Sequence, residues 1–153
     1  MTSFRDARVE DVASIIGLYA DDDLGSTREL VTDPPDDGYM LAFRQIDSDP
    51  SHRLVVVEER GEVVGTVQLS FLPHLVLHGG ERAQIDAVRV RPDRRGTGLG
   101  EAMLAWAINE ARERGCQLVQ LTTSTTRVDA RRFYERLGFQ ASHTGMKLAL
   151  DAL

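Results

Sequence analysis

The stretch Val90-Arg-Pro-Asp-Arg-Arg-Gly-Thr-Gly-Leu-Gly100 joins a strand-like run to a strongly periodic helical segment. It carries three glycines at alternate positions, Gly96, Gly98 and Gly100. Alternate glycines let the backbone curl with its N–H groups facing inward, and the helix that follows directs the positive end of its dipole to the same point. Arg94 and Arg95 add positive charge at the rim. The stretch predicts a phosphate-binding turn, with an ordinary Gly-rich turn as the alternative.

Two other Gly-rich phosphate loops do not fit this stretch. A Walker loop ends in Gly-Lys followed by Ser or Thr, and that ending is missing. The dinucleotide-binding pattern requires a glycine where Glu101 stands, and a first strand that opens a βαβ unit. The loop therefore belongs to a different class of phosphate binder.

Length and composition are those of one globular domain, which we expect to span residues 1–153. No apolar run approaches the roughly 18 residues of a membrane span. A net charge of −6 argues against nucleic-acid binding, which is usually driven by a basic face. The N-terminus lacks the apolar core of a signal peptide, and Cys116 has no second cysteine to pair with. We therefore expect a cytoplasmic protein without a membrane or nucleic-acid partner.

The order of the predicted elements indicates a mixed α/β fold in which a mixed β-sheet is flanked by helices. The predicted elements, in chain order, are a strand at 3–7, a helix at 10–20, a short helix around 40–46, strands at 54–57 and 63–69 joined by a hairpin at 59–62, a loop or strand extension at 73–80, a strand at 83–90, a helix from 100 that Gly115 terminates, a central strand at 117–122, a short helix closed by Gly138, and a last strand from 139 to about 150.

In the predicted strand before the glycine loop, the alternation of apolar and polar residues shifts by one position. Ile85 and Ala87 are apolar in one phase, whereas Val88 and Val90 are apolar in the other. A one-residue slip of this kind is typical of a β-bulge, which would free a backbone N–H. A strand buried on both faces is the alternative.

Two motifs resemble those of the GNAT family of N-acetyltransferases, and the resemblance covers most of the chain. Arg95, Gly98 and Gly100 match its pyrophosphate-binding loop, and Ala130-Arg-Arg-Phe-Tyr-Glu-Arg-Leu-Gly-Phe139 matches a second motif downstream. The resemblance implies the GNAT fold, a central mixed, mostly antiparallel, twisted β-sheet flanked by about four helices. It also implies acetyl-CoA as co-substrate and transfer of its acetyl group to an amine. The cofactor contacts that it implies are Val88, Val90, Arg95, Gly96, Thr97, Gly98, Leu99 and Gly100.

The resemblance also implies catalytic roles. Tyr134 matches the tyrosine of the second motif, and a phenol with a pKa near 10 can protonate a departing thiolate; a core tyrosine is the alternative. Asp86 aligns with an acidic residue that serves as base or water holder in this family, with a surface acid as the alternative. Cys116 follows a helix-ending glycine without a histidine nearby, so a packed thiol is favoured over a nucleophile. We therefore expect direct transfer.

A narrower resemblance concerns the substrate. Arg127-x-Asp129 before the second motif, and Ser142-His143 after it, resemble the aminoalkylphosphonate N-acetyltransferase branch, as does the His-containing stretch before Asp86. This resemblance implies a small amino acid-like or phosphonate substrate, with His143 and His78 near the acceptor. A divalent metal is left open, and no metal ligands are predicted. Arg127 departs from the Asn of many relatives. Asp129 is also a candidate for capping a helix opened by Thr126.

Residues 21–50 cover the acceptor site in this family. Their acids could attract an amine or form solvated surface; these are Asp21, Asp22, Asp23, Asp36 and Asp37. Two other functions stay open, namely an acetyl-CoA-binding regulatory module without catalysis and a protein or peptide N-acetyltransferase. A homodimer is also left open.

Overall fold

The computed structural model describes residues 1–22 and 24–151, so Asp23 lies outside the described residues. The chain divides into two compact units, residues 1–120 and residues 121–153, and the boundary falls inside the last strand. The elements up to that boundary are β1 (Thr2–Asp6), α1 (Val12–Ala20), α2 (Gly25–Arg28), α3 (Asp37–Asp47), β2 (His52–Glu59), β3 (Glu62–Leu72), α4 (Val76–Gly79), β4 (Arg82–Val90), α5 (Leu99–Arg114) and β5 (Leu118–Leu121). The second unit contains α6 (Val128–Arg136).

The five strands form one sheet in the order β1-β2-β3-β4-β5. The first four strands are paired antiparallel to their neighbours. Helix α5 connects β4 to its neighbour β5, which is the crossover that a parallel pair requires. Among the described residues, α1, α3, α5 and α6 have nine or more residues each. The predicted class, a mixed and mostly antiparallel sheet with about four helices, is confirmed.

The predicted hairpin is confirmed between β2 and β3. Glu59 pairs with Glu62, which leaves Arg60 and Gly61 as a two-residue turn. Their φ values of 52° and 78° place both in the left-handed region. Two central residues in the left-handed region are typical of a type I′ turn, whose twist matches that of the antiparallel strands that it joins.

The core lies on both faces of the sheet. Val55, Val56 and Val57 have no exposed surface. On one face, Phe4 of β1 pairs with Val57 and stacks on Trp106 of α5 with ring centroids 5.3 Å apart. On the other face, the cluster packed with α1 and α3 comprises Ala7, Val12, Ile15, Ile16, Phe43 and Val56. Burial on both faces explains why β2 reads as an unbroken valine run.

Helix α5 follows the glycine loop as predicted. Its buried stripe consists of Leu99, Met103, Leu104, Ala107 and Ala111. Gly115 ends the helix in the left-handed conformation, with a φ of 85°, and its N–H donates to the carbonyls of the last turn. The helix packs closely on the sheet, since a Cβ on Gly65 of β3 would lie 3.0 Å from the Met103 sulfur.

The predicted bulge in β4 is confirmed. Thr66 pairs with Arg89 and Gln68 with Asp86, so β4 has one more residue than β3 between these pairs. Ala87 lies in the extra stretch with a φ of 52°, a left-handed conformation that is uncommon for a residue with a side chain. The phase slip in the sequence marks this position, because a bulge exchanges the faces that later residues occupy.

Three local predictions need correction, and one short helix was not predicted. Strand β5 is the last strand of the described sheet rather than a central one, and its residues are only half-buried. The segment predicted as a loop or strand extension contains the one-turn helix α4, with Leu77 and His78 left-handed. Helix α2 was not predicted, because four residues carry no periodic stripe. Helix α6 has Arg127 at its N-cap, rather than opening at Thr126, and no side chain caps it.

The predicted last strand is wrong for the described part of the second unit. Residues 139–151 have no strand assigned there. Met146, Leu148 and Leu150 alternate as in a strand, yet their exposed fractions are 90%, 84% and 89%. Alternation predicts a strand only where a neighbouring strand accepts the backbone hydrogen bonds. Separately, none of the helices in the described ranges is long and apolar enough to cross a membrane.

Candidate active site

The loop after β4 contains two glycines in the left-handed region. The φ values of Gly96 and Gly98 are 73° and 88°. A Cβ built on either glycine would meet no heavy atom within 4 Å. Glycine is therefore required by the backbone conformation rather than by crowding, and the space beside the loop is open. Thr97 closes the turn, because its hydroxyl donates to the Arg94 carbonyl at 2.6 Å.

This loop leads directly into the N-terminus of α5. Gly98 is the N-cap and supplies no side-chain acceptor, Leu99 is buried, and Gly100 lies in the first turn. The first N–H groups of a helix have no acceptor within it. An anion at such a terminus gains about 0.3–1 kcal/mol from the helix dipole. The geometry is therefore that of an anion site with open access.

The arginines around the loop differ in how firmly they are held. The ion pairs join Arg89 to Asp22, Arg91 to Glu62 and Asp93, Arg94 to Glu59, and Arg95 to Asp21. Arg94 Nη2 lies 2.8 Å from its carboxylate partner. In contrast, Arg95 Nη2 lies 4.0 Å from Asp21, and the Arg95 side chain is 51% exposed. Of the two arginines predicted at the rim, Arg95 is the one better able to bind an external anion.

The end of β4 supports the Arg95 side chain. Arg95 Nε donates to the Val90 carbonyl at 3.2 Å. The Val88 carbonyl accepts a hydrogen bond from Arg89 Nη1 at 2.9 Å. Val88 and Val90, both predicted cofactor contacts, are half-buried on the strand that carries the bulge. The first unit thus brings the bulged strand, the glycine loop and the Arg95 guanidinium together.

Two further predicted site residues lie in the first unit. Asp86 precedes the bulge, is exposed, and accepts a long hydrogen bond of 3.4 Å from Gln84 Nε2. An exposed carboxylate on the sheet surface fits both the predicted base and the alternative surface acid. His78 is also exposed and lies in α4 with a φ of 60°.

Tyr134 and His143 belong to the second unit. Tyr134 lies in α6, half-buried between the rings of Phe133 and Phe139, whose centroids are 5.4 and 5.9 Å from its own. Both ring pairs are edge-to-face, which is a favourable arrangement. His143 is exposed, and its Nδ1 lies 2.7 Å from the Ser142 hydroxyl.

A set of contacts at the end of α1 could not be found from the sequence. Arg89 Nε lies 3.2 Å from Asp22 Oδ2, and the Arg89 guanidinium lies 5.9 Å from the Tyr19 ring centroid. Burial raises the pKa of Tyr19 to about 12, although Arg89 lowers it and Glu29 adds to the rise. The sequence shows a run of aspartates after α1. It does not show which distant arginines pair with these aspartates in the folded protein.

Cys116 has the surroundings of a packed thiol rather than a nucleophile. Its Sγ lies 3.7 Å from Glu81 Oε1, and the residue is half-buried rather than fully enclosed. Burial raises the pKa of the thiol, and the Glu81 carboxylate raises it further. The thiolate, which is the reactive form, is therefore disfavoured. As for metals, the described residues contain no group of three or more His, Cys, Asp or Glu side chains that could hold an ion.

Comparison with known proteins identifies the family to which this chain belongs. The model of the Acetyltransferase (GNAT) family matches residues 10–139, which include both the glycine loop and the Tyr134 motif. The chain belongs to this family and is an acyltransferase.

Among its relatives, the aminoalkylphosphonate N-acetyltransferase of Salmonella typhimurium is 36% identical over 151 residues, covering 95% of this chain and 90% of that protein. The L-methionine sulfoximine/L-methionine sulfone acetyltransferase of Pseudomonas paraeruginosa is 32% identical over 145 residues, covering 92% and 81%. A solved structure described as a transcriptional regulator from Bacillus halodurans C-125 is 42% identical, with a TM-score of 0.95, and the match covers 98% of this chain and 100% of that one.

Proposed function

We propose that this protein is an acetyl-CoA-dependent N-acetyltransferase that transfers the acetyl group directly to the primary amine of a small molecule. The observation that carries the proposal is the open, left-handed glycine loop at the N-terminus of α5, with the Arg95 guanidinium beside it. Backbone N–H groups, a helix dipole and one accessible arginine are a set of groups that recognises a pyrophosphate.

In this proposal the residues of the first unit bind the cofactor. Arg95 and the loop from Gly96 to Gly100, including Thr97, Gly98 and Leu99, hold the pyrophosphate of acetyl-CoA. Backbone groups near the bulge, at Val88 and Val90, orient the acetyl carbonyl and the pantetheine arm. Bound acetyl-CoA supplies an activated thioester, and side chains of the protein donate and accept the protons of the reaction. The raised pKa of Cys116 favours direct transfer over an acetylated cysteine.

The proton roles rest on the sequence motifs. Tyr134 donates a proton to the leaving thiolate, since it occupies the tyrosine position of the second motif. Asp86 accepts a proton from the amine, directly or through a water molecule. Its side chain is exposed on the sheet, so an amine or a water molecule can reach it. Acyl transfer from a thioester requires a neutral amine, stabilisation of the tetrahedral oxyanion and a proton for the leaving thiolate. His78 and His143 are proposed on the acceptor side.

The substrate that we propose is small and amino acid-like, or an aminoalkylphosphonate. Two relatives that share most of their length with this chain are named for such compounds. We further propose that residues 1–153 act as one catalytic domain and that the protein works in the cytoplasm. The alternative is an acetyl-CoA-binding regulatory module, since a 42% identical structure is described as a transcriptional regulator.

A panel of amines tests the proposal. The panel contains aminoalkylphosphonates, free amino acids, methionine sulfone, simple alkylamines and a short peptide, each incubated with acetyl-CoA and the protein. We expect CoA release together with an equal amount of N-acetylated product, detected by mass spectrometry, for at least one small amine. Binding of acetyl-CoA without turnover of any amine would support the regulatory module, and acetylation of the peptide alone would favour a protein or peptide N-acetyltransferase.

A further inference from the structure

We propose that Asp21 is a positioning residue that holds Arg95 in the free protein and releases it when a pyrophosphate binds. The inference rests on the proposed function, because it takes the glycine loop as the pyrophosphate site. It adds a coupling between the cofactor and the segment after α1.

The position of Asp21 is fixed by its neighbour. One carboxylate oxygen of Asp22 accepts a hydrogen bond from the Gly25 N–H at the start of α2, and the other lies 3.2 Å from Arg89 Nε. The Arg89 guanidinium in turn lies over the Tyr19 ring. These contacts attach the end of α1 to the bulged strand β4. The chain at Asp21 is therefore held beside the glycine loop, although the Asp21 side chain itself is exposed.

The contact between Asp21 and Arg95 has the properties of a replaceable ion pair. The two charged groups are 4.0 Å apart, and the side chains are 44% and 51% exposed. Exposed pairs at such distances are weak and are screened by salt. A phosphate offers the guanidinium bidentate, charge-assisted hydrogen bonds, which are about twice as strong as neutral ones. An incoming pyrophosphate therefore displaces the carboxylate.

The coupling acts on cofactor affinity. In the free protein the Asp21 carboxylate pairs with the Arg95 guanidinium, and after binding the guanidinium faces the pyrophosphate instead. The pair with Asp21 therefore lowers the affinity of the free protein for CoA.

The test compares CoA binding by the wild-type protein and four variants in isothermal titration calorimetry. In Asp21→Asn the pyrophosphate no longer competes with a carboxylate, so we expect CoA to bind about two- to fivefold more tightly, the range of a weak surface ion pair. In Arg95→Gln, CoA binds more weakly. Adding Asp21→Asn to Arg95→Gln should give no gain. Asp93→Asn is the matched control, since it removes a neighbouring carboxylate that pairs with Arg91 instead.

Kinetics provides the second readout. The KM of acetyl-CoA should fall in Asp21→Asn, and Asp21→Glu should restore it. Equal gains from Asp21→Asn with and without Arg95, or the same gain from Asp93→Asn, would mean a general charge effect and would overturn the inference alone. Absence of CoA binding by the wild-type protein would overturn the proposed function and this inference with it.

Discussion

At the residue scale, removing the hydroxyl of Tyr134 distinguishes a catalytic role of this residue from a purely structural one. The ring is half-buried and makes edge-to-face contacts with Phe133 and Phe139. Phenylalanine keeps these ring contacts and removes only the hydroxyl. If Tyr134 is the general acid, Tyr134→Phe should lower kcat by about 10²- to 10⁴-fold, which is the usual contribution of such a group. The variant should still fold and bind acetyl-CoA.

The measurement is kcat at saturating acetyl-CoA with a responsive amine, beside a thermal melt of both proteins. A structural hydroxyl would show the opposite pattern, since loss of one hydrogen bond costs about 0.5–1.5 kcal/mol of stability and spares turnover. Provided that chemistry limits the rate, a kcat within about threefold of wild type would reject Tyr134 as the acid.

At the element scale, one charged cluster ties the start of α1 to the first two strands. Asp11 accepts hydrogen bonds from Arg5 Nη1 at 2.7 Å and from the Arg8 N–H at 2.7 Å. Arg5 also donates to Glu58 of β2. Burial alone would raise the pKa of Asp11, but the hydrogen bonds from Arg5 and Arg8 outweigh it and lower the pKa below its ordinary value. The ionised form of Asp11 is therefore stabilised by folding.

This lowered pKa predicts a pH-dependent loss of stability in Asp11→Asn. Because the pKa is lower in the folded protein than in the unfolded chain, the carboxylate stabilises the fold fully above the unfolded value and progressively less as pH falls below about 4. We expect Asp11→Asn to cost about 1–3 kcal/mol of unfolding free energy near neutral pH. Urea titrations at several pH values should show the difference from wild type shrinking in acid.

The exposed Glu10 provides a control in the same turn. Glu10→Gln removes one carboxylate without breaking the hydrogen bonds between Arg5 and Asp11. It should leave the unfolding free energy nearly unchanged at every pH. A cost of Asp11→Asn that stays constant from neutral pH into acid would contradict the electrostatic explanation.

At the scale of the whole molecule, the sequence predicted the features that local pattern determines. The stripe of α5 and its terminating Gly115, the hairpin at Arg60-Gly61, and the phase slip beside Ala87 all lie within a few residues of the structure that they encode. The glycine loop belongs to the same group, since its left-handed residues are recognisable as glycines.

Features that depend on distant partners were not predictable in this way. The position of β5 at the end of the described sheet depends on which strands pair, and the alternation of Met146 and Leu148 does not by itself create a strand. The ion pair between Asp21 and Arg95 joins parts of the chain whose proximity arises only on folding. Long-range pairing is therefore the part of the candidate site that required a structure.

The two ends of α5 offer the most direct test of the cofactor site. Gly98 and Gly115 have φ values of 88° and 85°, and a Cβ on either one would meet no heavy atom within 4 Å. Gly98→Ala and Gly115→Ala should thus lose similar stability, about 1–2 kcal/mol for an L-residue in the left-handed region. Only Gly98 lies in the proposed pyrophosphate loop, so acetyl-CoA should raise the melting temperatures of the two variants by different amounts.

The measurement is the rise in melting temperature on adding acetyl-CoA to each protein. At about 100 times its Kd, a ligand stabilises the folded state by about 2.7 kcal/mol, which for a domain of this size is a rise of roughly 5–10 °C. We predict this rise for wild type and Gly115→Ala, and little or none for Gly98→Ala, where a methyl group meets the pyrophosphate. Equal rises in the two variants would contradict the account and place the cofactor elsewhere.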